Sequence, residues 1–250
     1  MTALILAAGM GRRLLPLTER VPKPLITVVE ASLLEHTIAF AKALGCHEVV
    51  IVTGYKHQVI HKFIESNGET LQMQVHCVYN PHFRFGSVTS LAAGLSAIGQ
   101  SDDQLIILNA DHMYGENVAY VIRQEMKSAA SYLVCDFDRK LKKGDALISS
   151  DDHKHAVLEI SKDATEFNGG YTGIAIINQI DLRALTTAVQ AAASEDSHET
   201  PLSYEIALNT VTPDIIDFKI IDISGLGWVN VNTEAELSMA KGMLDFRPII

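Results

Sequence analysis

The chain has little of what builds disulfide scaffolds and zinc sites: its 250 residues hold three cysteines, Cys46, Cys77 and Cys135, widely spaced and without a CxxC pair. An odd, scattered set reads as reduced buried thiols, so a cytoplasmic location is expected. Positive charge is scarce as well. Twenty Lys and Arg against thirty Asp and Glu give a formal charge of −10, which argues against a nucleic-acid partner, because duplex affinity rests on basic contacts to phosphate. A phosphate ligand would have to meet a local cluster of basic groups. No apolar run approaches bilayer length, and Arg12 and Arg13 follow the apolar opening Thr2 to Met10 instead of preceding it, so neither a membrane span nor a signal peptide is read. Two nucleotide motifs are missing. No GxxxxGK[ST] loop occurs, and Leu14 stands where a dinucleotide fingerprint would place its third glycine after Gly9 and Gly11. P-loop hydrolysis and NAD binding lose ground accordingly.

Repeats and long linkers are also absent, so residues 1–250 are read as one domain. A hydrophobic fraction of 48% and a charged fraction of 20% suit a folded chain with a sizeable core. Short apolar runs recur as TALILAA, EVVIVTG, MQVHCVY, QLIILNA and SYLVCDF. Such Val, Ile and Leu runs are expected of strands buried on both faces of a mainly parallel sheet. Helical spacing predicts crossovers over 32–44, 56–65 and 87–98. After Asp136 the rhythm changes, and strands over 146–149, 156–160 and 171–177 predict a small antiparallel extension. A helix over 181–193, a polar loop over 194–200, a helix near 204–208, a strand near 215–223 and a helix from Thr233 follow. The fold class is α/β, a mainly parallel sheet flanked by helices.

Gly9 and Gly11 follow the first strand directly, where bare backbone amides suit phosphate. Arg13, Pro16 and Thr18 continue the loop, and Lys23 stands between Pro22 and Pro24. Proline on both sides fixes the backbone and presents an ammonium rigidly, as neutralising charge on a transferring phosphoryl group requires. In LIILNADHMYG, Asp111 lies just beyond the carboxyl end of a strand, where open α/β sheets collect ligands. A carboxylate there suits Mg²⁺, a hard ion bridging one or two carboxylates to substrate phosphates; its alternative is a cap for the next helix. His57 and His61 have a chelating spacing on a helix but no third ligand nearby, so a solvated helix face is preferred.

The stretch LAAGMGRRLLPLTERVPKPLITV resembles the signature of the nucleoside-triphosphate transferase family, which activates sugar phosphates and phospho-alcohols. The resemblance implies a Rossmann-like, GT-A-like fold. It places Leu6, Ala7, Ala8, Gly9, Gly11 and Arg12 at the nucleotide, Arg13 at the departing pyrophosphate and Lys23 at phosphate. Asn80, Gly86 and Ser87, in NPHFRFGSVTSL, resemble the region that contacts the base. Asp111 aligns with the family's metal-binding aspartate, and ADH resembles the inositol-1-phosphate cytidylyltransferase branch. Lys162, in EISKD, resembles the lysine that binds acceptor phosphate. The family's second aspartate is replaced, since Trp228-Val229-Asn230-Val231-Asn232 carries asparagine at both places; Asn230 still offers a carbonyl oxygen to metal.

These residues imply a cytidylyltransferase that uses Mg²⁺ and CTP with a phosphorylated acceptor of the phosphocholine or inositol 1-phosphate type. The rivals are a sugar-1-phosphate nucleotidyltransferase using UTP, dTTP or GTP, and a nucleotide-binding regulatory protein with weak chemistry. Tyr114, Phe167, Tyr171 and Trp228 are candidates for caging a quaternary ammonium. A monomer or homodimer is expected.

Overall fold

Residues 1–71, 73–99, 103–127, 129–142, 145–163, 165–194 and 201–242 are described in the structure, a computed structural model. β1 (Thr2–Ala7) leads through the glycine loop to α1 (Leu17–Arg20), then to β2 (Thr27–Val28), β3 (Ala31–Ser32) and α2 (Leu33–Ala43). β4 (Glu48–Thr53), α3 (His57–Leu71), β5 (Gln74–Tyr79), α4 (Ser87–Ile98) and β6 (Leu105–Asn109) continue the alternation. Next come β7 (His112–Tyr114), α5 (Glu116–Glu125), β8 (Tyr132–Asp136), β9 (Leu147–Ser150), β10 (Val157–Ser161) and β11 (Gly169–Ile177). α6 (Gln179–Ala193), α7 (Glu205–Val211), β12 (Lys219–Asp222), β13 (Trp228–Asn230) and α8 (Glu234–Gly242) follow.

The main sheet has the order β10, β9, β11, β6, β1, β4, β5, with β8 pairing β11 and β12. β1 is parallel to β4 and β6, β4 to β5, and β12 to β8. β11 is the inverted strand, antiparallel to β6, β8 and β9. The result is a mainly parallel sheet with an antiparallel extension. Alternation along β1 distributes its side chains: Leu4 packs with α4, α6 and α7 on one face, whereas Ala3, Ile5 and Ala7 pack with α2, α3 and α5 on the other. Leu4 and Ile5 are both fully buried, each worth about 1.5–3 kcal/mol of transfer free energy.

Several boundaries differ from the sequence expectation. Ser32 is the cap of α2, not its first residue, and forms a capping box with Glu35. α3 runs on to Leu71, through Gly68. The strand expected from 215 begins at Lys219, because Ile215 and Ile216 donate backbone hydrogen bonds to Val211 O in a turn. α7 spans Glu205–Val211 where 204–208 was expected. The polar loop over 194–200 lies, from 195 onward, outside the described residues. Cys46 and Cys135 are buried, but Cys77 is only half-buried.

A two-stranded ribbon, β7 with β13, stands apart from the main sheet and was not anticipated. It aligns Asn230 with His112 and Trp228 with Tyr114. Behind it, Met113, Val229 and Val231 pack with Leu14, Ile26 and Leu237 in a third apolar cluster. That cluster fixes the glycine loop to the ribbon.

Candidate functional site

The chain runs from β1 outward to β4 and β5, then returns to the other side of β1 as β6. Loops leaving the carboxyl ends of β1 and β6 therefore diverge, which opens a crevice at the switch point. A cavity of about 580 Å³ occupies this place.

Leu6, Ala7, Ala8, Gly9 and Arg13 line the cavity from the glycine loop, together with Lys23. Lys23 begins a short 3-10 turn after Pro22 and is only 7% accessible. Its ammonium donates to Asp111 Oδ2 at 2.6 Å and to Asn232 Oδ1 at 2.8 Å. The other Asp111 oxygen lies 2.7 Å from His112 Nδ1. Burial is the largest single influence on the Asp111 carboxyl and pushes its pKa up; Lys23 and His112 together outweigh it and hold the group well below the usual carboxylate range. The His112 ring lies parallel to Trp228, with centroids 5.6 Å apart, and Arg139 sits 4.0 Å over the indole. Trp228 Nε1 donates to Asp136 Oδ2 at 2.7 Å, which fixes the indole plane. Asp111 is not a helix cap, since α5 starts later, after Gly115.

Gly86, Ser87, Lys162, Tyr171, Tyr204 and Glu205 line the same cavity. Gly86 has φ +108°, and a Cβ there would meet Leu202 O at 1.9 Å, so only glycine fits. Ser87 is the first residue of α4, and its Oγ accepts from Tyr204 N at 2.9 Å, tying the start of α4 to the start of α7. Lys162 Nζ lies 3.2 Å from Glu205 Oε1. Burial, the main influence on both, pushes the Tyr171 and Tyr204 phenols well above their ordinary pKa, so both stay neutral.

Three of the residues expected at the nucleotide do not line the cavity. Gly11 has φ +62° and packs against Thr18 and Lys23, where a Cβ would come within 2.9 Å of Thr18 Cγ2. The Arg12 side chain is exposed and reaches Met10 Sδ. Asn80 is buried; its amide donates to Thr89 and Ser90 and its carbonyl accepts from His82 N, so it braces the loop before α4. Among the aromatic candidates, Tyr171 and Trp228 line the cavity, whereas Tyr114 donates to Thr172 O and Phe167 is half-exposed, and neither lines it. His61 bonds Thr53 and His57 stacks on Tyr79. Sequence reasoning missed Glu205 and the partnership of Asn232 with Lys23. Period-two spacing of Trp228, Asn230 and Asn232, all of which line the cavity, was the available signal for Asn232.

No three His, Cys, Asp or Glu gather into a metal cluster among the described residues. The oxygen set nevertheless fits a hard divalent ion shared with substrate phosphates: Asp111 supplies a carboxylate, and Asn230 Oδ1 is buried without a hydrogen-bond partner among the described residues.

This fold and crevice define a nucleotide-handling α/β protein. The chain belongs to the nucleotidyl transferase family, whose model matches residues 2–166. Among curated relatives, choline-phosphate cytidylyltransferase of Streptococcus pneumoniae is 41% identical over 71 residues, 28% of this chain and 31% of that protein. Mannose-1-phosphate guanylyltransferase 1 of Arabidopsis thaliana is 33% identical over 112 residues, 44% of this chain and 31% of that protein. Both alignments thus span about a third of the relative's length. The solved inositol-1-phosphate CTP transferase from T. maritima superposes with a TM-score of 0.80 at 17% identity, covering 100% of this chain and 97% of that one. The CTP:phosphocholine cytidylyltransferase from Streptococcus pneumoniae gives 0.75 at 20% identity, over 97% of this chain and 98% of that one. These two likenesses show the fold.

Proposed function

We propose that the protein transfers CMP from CTP to a phospho-alcohol of the phosphocholine or inositol 1-phosphate type, giving a CDP-alcohol and pyrophosphate. The observation that carries this reading is that Gly9, Arg13, Lys23, Asp111 and Lys162 all line one cavity. An acceptor phosphate oxygen forms a bond to the α-phosphorus; the bond from that phosphorus to the bridging oxygen breaks, and pyrophosphate leaves with the electron pair. The attacking oxygen is anionic near neutral pH, so no general base is needed, and positioning and charge neutralisation carry the catalysis.

In this reading the backbone from Leu6 to Gly9 receives the triphosphate, Arg13 the departing pyrophosphate and Lys23 a phosphoryl oxygen. Gly86 and Ser87 lie beside the base, and Lys162 grips the acceptor phosphate. Mg²⁺, held by Asp111 and Asn230, would neutralise phosphate charge. The reading takes the chain as one catalytic domain working in the cytoplasm as a monomer or homodimer; no helix of the described residues is long and apolar enough to cross a membrane.

Pyrophosphate release across a matrix of CTP, UTP, dTTP and GTP against phosphocholine, inositol 1-phosphate and sugar 1-phosphates tests the proposal. Preference for CTP with a phospho-alcohol is the expected result. Preference for another triphosphate with a sugar phosphate would make the protein a sugar-1-phosphate nucleotidyltransferase, and tight triphosphate binding without turnover would make it a regulatory binder.

A further inference from the structure

Glu205 is an acidic side chain facing a cavity proposed to bind anions. It is only 7% accessible, lies at the first turn of α7 and lines the cavity. One carboxylate oxygen meets Lys162 at 3.2 Å, while the other, Oε2, is buried without a hydrogen-bond partner among the described residues. A buried ionised carboxylate left short of partners is costly, so such an oxygen marks a demand that a ligand can meet.

The reading of Lys162 as the acceptor-phosphate group, on which this inference rests, sharpens that demand. Once the ammonium turns to a phosphate, Glu205 loses part or all of the one cation it pairs with among the described residues, while remaining buried. A neutral acceptor body leaves the carboxylate in that state. An acceptor carrying its own cation replaces what Lys162 gives up. The surroundings suit a cation as well: the Tyr171 and Tyr204 rings, both buried and both lining the cavity, stand at 70° with centroids 6.3 Å apart, and both phenols are neutral. Aromatic faces beside a carboxylate form a favourable setting for an alkylammonium group.

We propose that Glu205 is the acceptor-specificity residue, and that the acceptor is zwitterionic: a phosphate for Lys162 and, a few bonds away, an ammonium for Glu205. Phosphorylated amino alcohols have this chemistry. Inositol phosphates and sugar phosphates lack it. Primary and quaternary ammonium share the charge, but only the primary form donates hydrogen bonds to Oε2.

The test is calorimetric titration of the full chain with phosphocholine, phosphoethanolamine and inositol 1-phosphate, in the presence of a non-hydrolysable CTP analogue, for wild type, Glu205→Gln and Glu205→Asp. At least one ammonium acceptor should bind wild type about tenfold or more tightly than inositol 1-phosphate, the scale expected when a buried charge finds its partner. Glu205→Gln should abolish that preference while leaving the inositol 1-phosphate affinity within about threefold, and Glu205→Asp should retain a weaker preference. Equal or better binding of inositol 1-phosphate to wild type would overturn the proposal. So would a uniform loss of all three acceptors in Glu205→Gln, which would make Glu205 only a brace for Lys162. Turnover is read separately: selective binding without pyrophosphate release would sink the transfer reaction and uphold the cation site, whereas turnover without selectivity would sink the cation site alone.

Discussion

The two ends of the cavity differ in how completely their charges are matched. At the end proposed for the triphosphate, Lys23 is held between Asp111 and Asn232, Asp111 turns its second oxygen to His112, and His112 stacks on an indole that is itself anchored to Asp136. At the end proposed for the acceptor, Lys162 has a side chain 38% exposed, and Glu205 keeps an oxygen without a partner among the described residues. On the proposed reading the first end is set in advance for the triphosphate, and its charges would need little reorganisation when phosphate arrives. On the proposed reading the second is completed only by a particular acceptor, which would place discrimination there.

The largest effect should come from breaking the matched end. Lys23→Met should lower kcat for pyrophosphate release by about 100- to 1,000-fold, the range for removing a charge stabiliser of a transition state. It also leaves Asp111 without its ammonium, so urea unfolding should show a loss of about 3 kcal/mol or more. A kcat within tenfold of wild type would mean that the ordered end is structural only. Lys162→Met should act on the other end alone, raising the acceptor KM about 10- to 100-fold, as expected for a charged hydrogen bond, while the KM for CTP changes less than about twofold. An equal rise in both constants would erase the distinction between the ends.

Smaller effects probe what joins the two. Gly86→Ala should destabilise the fold by about 1–3 kcal/mol in urea titration, because positive φ and the approach of Leu202 both exclude a Cβ. Near-wild-type stability would show that the 202 backbone yields. Asn230→Asp should lower the Mg²⁺ concentration at half saturation by about tenfold or less, since a carboxylate replaces an amide oxygen; an unchanged or higher requirement would place the ion away from Asn230.

Much of the fold is written locally. The alternation of Leu4 with Ala3, Ile5 and Ala7 declares a strand buried on both faces, and Ser32 with Glu35 declares a helix start. The end of α3 was not legible because Gly68 reads as a stop, yet the helix carries it at a cost of about 1 kcal/mol relative to alanine. The β7 and β13 ribbon was hidden for another reason: two three-residue strands, far apart in sequence, have too little pattern of their own to announce a pairing.

The same division runs through the site. Its loop, from Leu6 to Lys23, is one contiguous segment and could be read as a unit. The partners of that loop could not: Lys23 meets Asn232 across a separation of 209 residues. Glu205 sits in a short helix where one acidic residue on the first turn looks like an ordinary favourable charge at a helix N-terminus. Only its burial, and the oxygen it leaves unmatched, set it apart.

The most direct test of the account follows the α-phosphorus itself. CTP labelled at that position is incubated with Mg²⁺ and each of phosphocholine, phosphoethanolamine and inositol 1-phosphate, and both products are resolved. Transfer as proposed puts label in a CDP-alcohol, with one pyrophosphate released for each, and Lys23→Met should give about 1% or less of either over the same interval. Label appearing as CMP or CDP without an acceptor adduct, or remaining in CTP with all three acceptors, would contradict it.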